Sequence, residues 1–190
     1  VKYKYGGLLT TLSYFYIDQE NVIDIDMGSG KYRRAADGRD KFKGVEWTVN
    51  GKLAPKWTVT GGLMYIDAKR DKTQGGKNDG RFVNGVADWS GVLGLVYEPN
   101  DRLGIIGRVI WNDAAYIDNS NAPSGKTKIP SYTTFDLGVN YKTYLGGIPV
   151  SLSAMCYNVA NKDYWMGRGS STTFGLSMPR TFMLSARFEF

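Results

Sequence analysis

The sequence predicts an all-β chain, an antiparallel up-and-down transmembrane β-barrel wall of about nine strands. Three observations predict it. Segments of about ten residues carry apolar side chains on alternate positions, their connections alternate between short and long, and aromatic residues gather near the strand ends. A strand with one apolar face needs this period of two, because successive side chains point to opposite faces. No helical period survives over a helix-length window anywhere in the chain.

The predicted strands run over 1–5, 8–19, 43–53, 57–67, 88–97, 103–112, 132–143, 148–158 and 180–190. The first, "VKYKY", opens in what reads as mid-strand, with no initiator Met and no secretion pattern, which suggests a chain processed or cut from something longer. Segment 8–19 leaves its faces ambiguous. In 45–53 the apolar set is Val45, Trp47, Val49, Gly51 and Leu53, against Glu46, Thr48, Asn50 and Lys52. Segment 57–65 sets Trp57, Val59, Gly61, Leu63 and Tyr65 against Thr58, Thr60, Gly62 and Met64. Segment 135–142 sets Phe135, Leu137, Val139 and Tyr141 against Asp136, Gly138, Asn140 and Lys142. Segment 150–157 sets Val150, Leu152, Ala154 and Cys156 against Ser151, Ser153, Met155 and Tyr157. The last strand alternates Phe182, Leu184, Ala186, Phe188 and Phe190 with Met183, Ser185, Arg187 and Glu189.

The short connections are 6–7, 54–56, 98–102 and 145–147; the long ones, rich in Gly, Asp, Asn, Lys and Ser, are 20–42, 68–87, 113–131 and 159–179. Short turns at one end and long loops at the other describe an outer-membrane barrel, and strands of about ten residues suit a tilted crossing of the bilayer. Trp57 and Tyr97 fall beside short turns, whereas Trp47, Trp89, Trp111, Tyr116, Tyr164 and Trp165 fall nearer the long loops. Two interfacial aromatic belts produce that distribution. A soluble β-sandwich is the competing reading, but its apolar face hides in a core and its loops need not alternate in length. No run approaches the roughly 20 apolar residues of a membrane helix.

Composition narrows the function. Of 190 residues, 14% are aromatic, 13 are Tyr and 24 are Gly, a profile of sheet and turn. Mean hydropathy is −0.33. There is no histidine, which excludes a Ser-His-Asp triad and any His-based proton shuttle. The single cysteine, Cys156, forms no internal disulfide, and its apolar position makes it a poor nucleophile. Asp24 with Asp26 and Asp37 with Asp40 share their segment with Lys31, Arg33, Arg34 and Arg39 and read as a solvated mixed-charge loop, not a catalytic pair. No calcium-loop spacing occurs, and "GGKNDG" (75–80) reads as a flexible loop tip. The net charge of +6 is spread along the chain with no basic tract, so nucleic acid is not an expected partner. The sequence implies no enzyme, cofactor or metal.

The stretch "YNVANKDYW", followed by "GLSMPRTFMLSARFEF", resembles the last two strands of TonB-dependent outer-membrane receptors, ferric-siderophore branch. "GVEWTVNGKLAPKWTVTGGLMYIDAK" resembles paired strands around a Pro-containing periplasmic turn, and "YTTFDLGVNYK" the strand before the final hairpin. The resemblance covers essentially the whole chain. It implies a 22-strand barrel, of which 1–190 forms the C-terminal segment of about nine strands, with the plug domain and the TonB box lying outside this chain. It further implies an outer-membrane location in a Gram-negative bacterium and active import of a ferric siderophore energised through TonB. Its expected partners are membrane lipid and lipopolysaccharide, the plug and remaining strands, and the barrel assembly machinery. Phe188 and Phe190 are the expected assembly signal. An eight-stranded barrel omitting 1–5 and acting as a structural or adhesive protein is the alternative, and a soluble sugar-binding sandwich a further one.

A siderophore receptor needs aromatic contacts and hydrogen-bond donors in its loops and upper wall. The candidate ligand contacts are Tyr32, Arg33, Arg34, Arg81, Trp111, Tyr116, Tyr164, Trp165 and Arg168. The aromatics also suit an interface belt, and the arginines also suit lipopolysaccharide phosphates or loop carboxylates. Carrying the register of 150–157 forward makes Tyr164 the interface anchor and Trp165 the ligand contact.

Overall fold

The computed structural model describes residues 1–118, 127–167 and 174–190. Its strands are β1 (Lys2–Tyr5), β2 (Leu8–Asp26), β3 (Tyr32–Ala54), β4 (Trp57–Lys72), β5 (Trp89–Tyr97), β6 (Leu103–Asn112), β7 (Ala115–Asp118), β8 (Thr127–Ile129), β9 (Tyr132–Leu145), β10 (Ile148–Tyr157), β11 (Trp165–Gly167), β12 (Phe174–Leu176) and β13 (Thr181–Phe188). Nine of them make one sheet, in the order β1-β2-β3-β4-β5-β6-β9-β10-β13, every neighbour antiparallel. The pairs β7-β8 and β11-β12 are small hairpins within two of the long connections. The sheet is open, with β1 and β13 as its edges.

Cross-strand register sorts the side chains into an apolar face and a mostly polar one, the latter carrying Val92, Val96, Ile106 and Ile110 in β5 and β6. One row reads Leu12, Trp47, Leu63, Gly91, Trp111. Another on the same face reads Gly107, Leu137, Cys156, Phe182. The opposite face reads Ser13, Glu46, Met64, Ser90, Asn112, and farther along Gly104, Asn140, Ser153, Ser185. The register also resolves the faces of β2. Leu8, Leu12, Tyr14 and Tyr16 join the apolar side, and Leu9, Thr11 and Ser13 the polar side.

No closed core covers the apolar face. Leu184 is 81% exposed, Leu137 54% and Leu152 40%. Soluble monomers rarely expose an apolar patch above a few hundred Å², so a face of this extent needs lipid. Two cross-strand aromatic pairs bound it. Trp57 and Tyr97 stack at 4.6 Å beside the short turns, and Tyr65 and Trp89 meet at 5.0 Å toward the long loops. From Trp57 to Tyr65 the strand rises about 26 Å at about 3.3 Å per residue. At the usual barrel tilt that is about 20 Å along the membrane normal, close to the height of an outer-membrane apolar band.

The turn at Gly146-Gly147 shows how the short connections are made. Both residues have positive φ, 56° and 83°, the conformation of a two-residue hairpin turn whose twist matches its strands. At Gly51 a Cβ would sit 2.0 Å from the Gly7 carbonyl oxygen, so only glycine lets the neighbouring turn approach.

The stretch 20–42, expected as a loop, is instead a hairpin arm: β2 runs on to Asp26, β3 begins at Tyr32, and a turn over 27–31 joins them. Beyond the upper belt the apolar stripe gives way to paired charges. Arg39 reaches Asp18 (3.4 Å) and Glu20 (3.7 Å), Lys43 reaches Asp67 (3.3 Å), and Lys41 reaches Asp71 (2.8 Å). Exposed pairs of this kind contribute roughly 0–1 kcal/mol each. The backbone ladder therefore holds the arm, and a pattern search keyed to apolar periodicity passes over it. At the other end of the chain, β13 closes at Phe188 and Phe190 lies beyond the strand.

Candidate ligand-binding surface

The long-loop end of the wall presents three separate groups. The first is a cleft between the β2–β3 arm and the segment after β4. Ile23, Ile25 and Tyr32 line it with Asp24, Asp37, Lys72 and Asp79. Lys72 Nζ donates to Asp37 at 2.5 Å, and this bond, with the ammonium charge, holds the Asp37 carboxyl below its ordinary value. The Thr73 amide and hydroxyl both donate to Asp79 Oδ1, at 2.7 and 2.8 Å, which fixes the cleft's far wall. Tyr32 faces Asp26 at the arm's tip, Arg33 pairs with Ile25, and Arg34 makes a 3.2 Å ion pair with Asp24.

The second group is an aromatic and cationic column. Phe82 stacks on Tyr116 at 5.0 Å, Lys128 Nζ sits 4.3 Å over the Tyr116 ring, and Lys69 lies 5.9 Å from Phe82. Beneath it Ala115, Ile117 and Ile129 pack against Ala87 as a small apolar core. Arg81 adjoins this column through the backbone, accepting from the Arg70 amide at 2.8 Å. Burial raises the Asp88 carboxyl, with the nearby Lys128 charge opposing it.

The third group anchors the last long connection to the polar face. Asp136 is buried and receives Arg108 Nε at 2.8 Å and Nη2 at 2.6 Å, while the guanidinium lies 5.7 Å from the Tyr157 ring. The other Asp136 oxygen accepts the Asn158 amide at 2.8 Å. Asn158 Nδ2 donates to the carbonyls of Lys162 (2.9 Å) and Met178 (3.0 Å), and its Oδ1 accepts the Lys162 amide at 2.9 Å. Asn161 Oδ1 accepts from the Arg180 amide at 2.8 Å. Both asparagines have φ of 50°, a region asparagine tolerates better than most residues. The "YNVANKD" and "MPR" stretches are thus the two halves of one clamp. It ties the start of the loop to its end, and both to the wall.

Above the clamp, Tyr164 stacks on Tyr132 at 3.8 Å, and the Tyr132 hydroxyl accepts from Asn112 at 2.9 Å. Tyr132 lies on the polar face, so Tyr164 does too. The register of 150–157, extended forward, assigned Tyr164 to the membrane interface. The left-handed residues Asn158 and Asn161 break that register, and the anchor is inward. Trp165 follows on β11, opposite Leu176, and is 47% exposed. Trp111 lies on the apolar face, packed over Gly91, at the level of the upper belt and apart from the three groups. Arg168 lies outside the described residues.

Sequence reasoning missed Phe82, Lys128, Tyr132 and the Asp37–Lys72 pair. Only Asn158 and Asn161 carried a local signal, as paired asparagines at the end of a strand. Among the described residues no group of three or more Asp, Glu, Cys or His side chains gathers to hold a metal ion. The chemistry on offer is aromatic stacking and charge-assisted hydrogen bonding, both suited to recognition.

Comparison with known proteins agrees with this geometry. Residues 1–159 match the family model described as TonB dependent receptor-like, beta-barrel. A ferrichrome receptor of Yersinia enterocolitica is 26% identical over 190 residues, 98% of this chain and 24% of that protein. An uncharacterized TonB-dependent receptor of Haemophilus influenzae is 25% identical over all of this chain and 58% of its own length. The crystal structure of the ferric preacinetobactin receptor of Acinetobacter baumannii superposes with a TM-score of 0.83 at 28% identity, over 100% of this chain and 28% of that one. The chain therefore spans between about a quarter and three fifths of the length of these relatives.

Proposed function

The chain belongs to the TonB dependent receptor-like β-barrel family, and from that premise we propose that it is the C-terminal part of the barrel of an outer-membrane receptor that binds and imports a ferric siderophore. The observation that carries the proposal is the two-faced sheet. An apolar face bounded by aromatic pairs seats it in lipid, and the polar face behind it lines the transport path. The relatives named for ferrichrome and preacinetobactin point to an iron chelate as cargo. The segment supplies wall and loops. Ligand settles at the long-loop end, a plug domain contributed by another part of the receptor changes conformation, and force delivered through TonB opens the path. No bond is made or broken.

In this reading Tyr32, Arg33, Arg34, Arg81, Tyr116, Tyr164, Trp165 and Arg168 form the recognition surface, with Trp111 in the girdle. Arginine donors suit the carboxylate or catecholate oxygens of an anionic chelate, through bonds worth about 1.5–3 kcal/mol each. Phe188 and Phe190 serve the assembly machinery, and the charged band above the upper belt meets lipopolysaccharide. An autonomous barrel would need its first and last strands to pair, and β1 and β13 are sheet edges.

The test is iron supply. A Gram-negative strain deleted for the receptor gene is grown under iron limitation with a panel of radiolabelled ferric siderophores. Uptake of at least one chelate, lost on deletion and dependent on TonB, is the expected result. Unaltered uptake of every chelate, with specific binding of a non-ferric ligand, would refute it.

A further inference from the structure

Above the upper aromatic pair the two faces of the wall exchange chemistries. On the outer side Lys43, Lys41 and Arg39 pair with Asp67, Asp71 and Asp18. On the inner side two rows are apolar. One reads Phe15, Gly44, Ile66, and the next Ile17, Phe42, Ala68. The Phe15 ring rests on Gly44, where a Cβ would come 2.6 Å from the ring's Cζ, so the missing side chain makes room for the ring. Ile17 is 50% exposed, and Phe15, Phe42 and Ile66 are half-buried. The backbones under these rows span about 10 Å across the strands and about 7 Å along them. A contiguous apolar shelf that stands above the lipid level, on the face turned away from lipid, marks a contact surface.

Cations stand directly above the shelf. Arg70 lies across from Asp40 on the same inner face, about 6.7 Å along the strand from Ala68. With Lys72 and Lys77 it lines a cleft of about 330 Å³, together with Asn21, Ile23 and Asp24 of β2. The carboxylates nearby are already engaged. Asp24 pairs with Arg34 at 3.2 Å, Asp37 holds Lys72 at 2.5 Å, and Asp40 accepts the Asn21 side-chain amide at 3.0 Å. Neither Arg70 nor Lys77 makes a side-chain hydrogen bond or an ion pair among the described residues. Arg70 is not at a sheet edge. It has β3 on one side, and on the other its amide donates to the Arg81 carbonyl at 2.8 Å. Its unanswered charge therefore belongs to the inside of the fold's own wall.

We propose that shelf and cleft form one specificity subsite for an anionic chelate that carries aryl rings, a ring lying on Phe15 and Phe42 and its oxygens meeting Arg70 and Lys77. The proposal rests on the receptor reading above. It adds to that reading four contact residues and a choice among iron chelates. An acyl chain would cover the shelf and leave both charges idle, and an inorganic anion would meet the charges and leave the shelf bare. A catecholate or phenolate uses both, because its anionic oxygens are borne on the ring itself. A ferric tris-catecholate is trianionic and rich in rings, whereas a ferric trihydroxamate is neutral and can lack rings altogether. Charge-assisted bonds to the first have no equal in the second, and the face of each ring adds stacking on phenylalanine.

The experiment uses the intact receptor in native outer membranes and two radiolabelled probes, a ferric tris-catecholate and a ringless ferric trihydroxamate. The wild type should bind the tris-catecholate more tightly. Arg70→Gln with Lys77→Gln should lower that affinity about tenfold or more, because charge-assisted bonds are lost. Arg70→Lys should keep much of it, and added salt should weaken the wild type more than the double variant. Phe42→Leu should lower tris-catecholate affinity about two- to tenfold by removing a stacking face. All variants are checked for abundance and heat-modifiable migration. Lys77→Gln alone, in an exposed turn, keeps the test open if a wall variant fails to fold. Tighter binding of the trihydroxamate would overturn the subsite, and so would tris-catecholate affinity unchanged by the cation variants or by Phe42→Leu. Either outcome leaves the receptor reading standing. Absence of binding for every ferric chelate tried would sink the receptor reading itself.

Discussion

Leu152→Arg tests the membrane placement most directly. On the apolar face of β10 the positions are Ile148, Val150, Leu152, Ala154 and Cys156, so Leu152 is the central one of the five. It is about 13 Å along the strand from either end of the stripe, hence about 10 Å from either edge of the band once the strand tilts. Its cross-strand partners are Tyr141 and Ala186, which offer an arginine no counter-charge. At such a depth a lipid-facing arginine destabilises an outer-membrane barrel by about 2–4 kcal/mol. Ser151, one residue away, points to the polar face. Ser151→Arg meets no lipid and only adds a third cation between Lys142 and Arg187, a cost of less than about 1 kcal/mol. The assay is guanidinium unfolding of the full receptor refolded into phospholipid vesicles, followed by tryptophan emission and checked by heat-modifiable migration. The expected outcome is a large drop for Leu152→Arg beside a small one for Ser151→Arg. Equal costs, or a larger cost at Ser151, would refute the assignment of faces.

Removing Phe190 should slow membrane insertion, measured as the yield of folded, heat-modifiable protein per unit synthesised; an unchanged yield would assign the terminal aromatic to lipid contact alone. Asp136→Ala should cost about 2–3 kcal/mol in the same unfolding assay, below the full price of breaking a buried pair because Arg108 keeps 40% of its side chain exposed. The double variant Asp136→Leu with Arg108→Met should recover part of that loss, since no unpaired charge remains. Trp165→Ala should weaken ferric-siderophore binding without lowering receptor abundance. Tyr164→Ala should act mainly on stability, through the stack on Tyr132 worth about 0.5–1.5 kcal/mol beyond area.

The wall was legible because lipid imposes a rule that sequence can express. Val45, Trp47 and Val49 alternate with Glu46, Thr48 and Asn50, an order that any one-faced strand shows, and its repetition over so many segments joined by alternately short and long connections is what a lipid-facing barrel wall adds. The rule lapses above the upper belt. There β2 and β3 continue as a turn-bounded arm that carries exposed ion pairs, and beyond the apolar band either residue type is tolerated. Asp18, Glu20, Arg39 and Lys41 satisfy the ladder as well as any apolar set would. The arm is specified by pairing across strands, a relation between residues some twenty positions apart that a local period does not contain.

The inward turn of Tyr164 shows the same limit from the other side. Parity assigns a face only while every residue keeps extended geometry. From Val150 to Cys156 even positions stay on the apolar side, and parity alone would carry Tyr164 with them. Asn158 and Asn161 interrupt the count with two left-handed residues, each held by side-chain bonds across the loop to Lys162, Met178 and Arg180. Two such residues within four positions reset the direction of the chain, and the next aromatic meets Tyr132 on the polar face. The asparagines were visible in the sequence as a motif. Their effect on parity becomes visible only when their dihedral angles are known, and it moves one of the candidate ligand contacts from the lipid boundary to the inner wall.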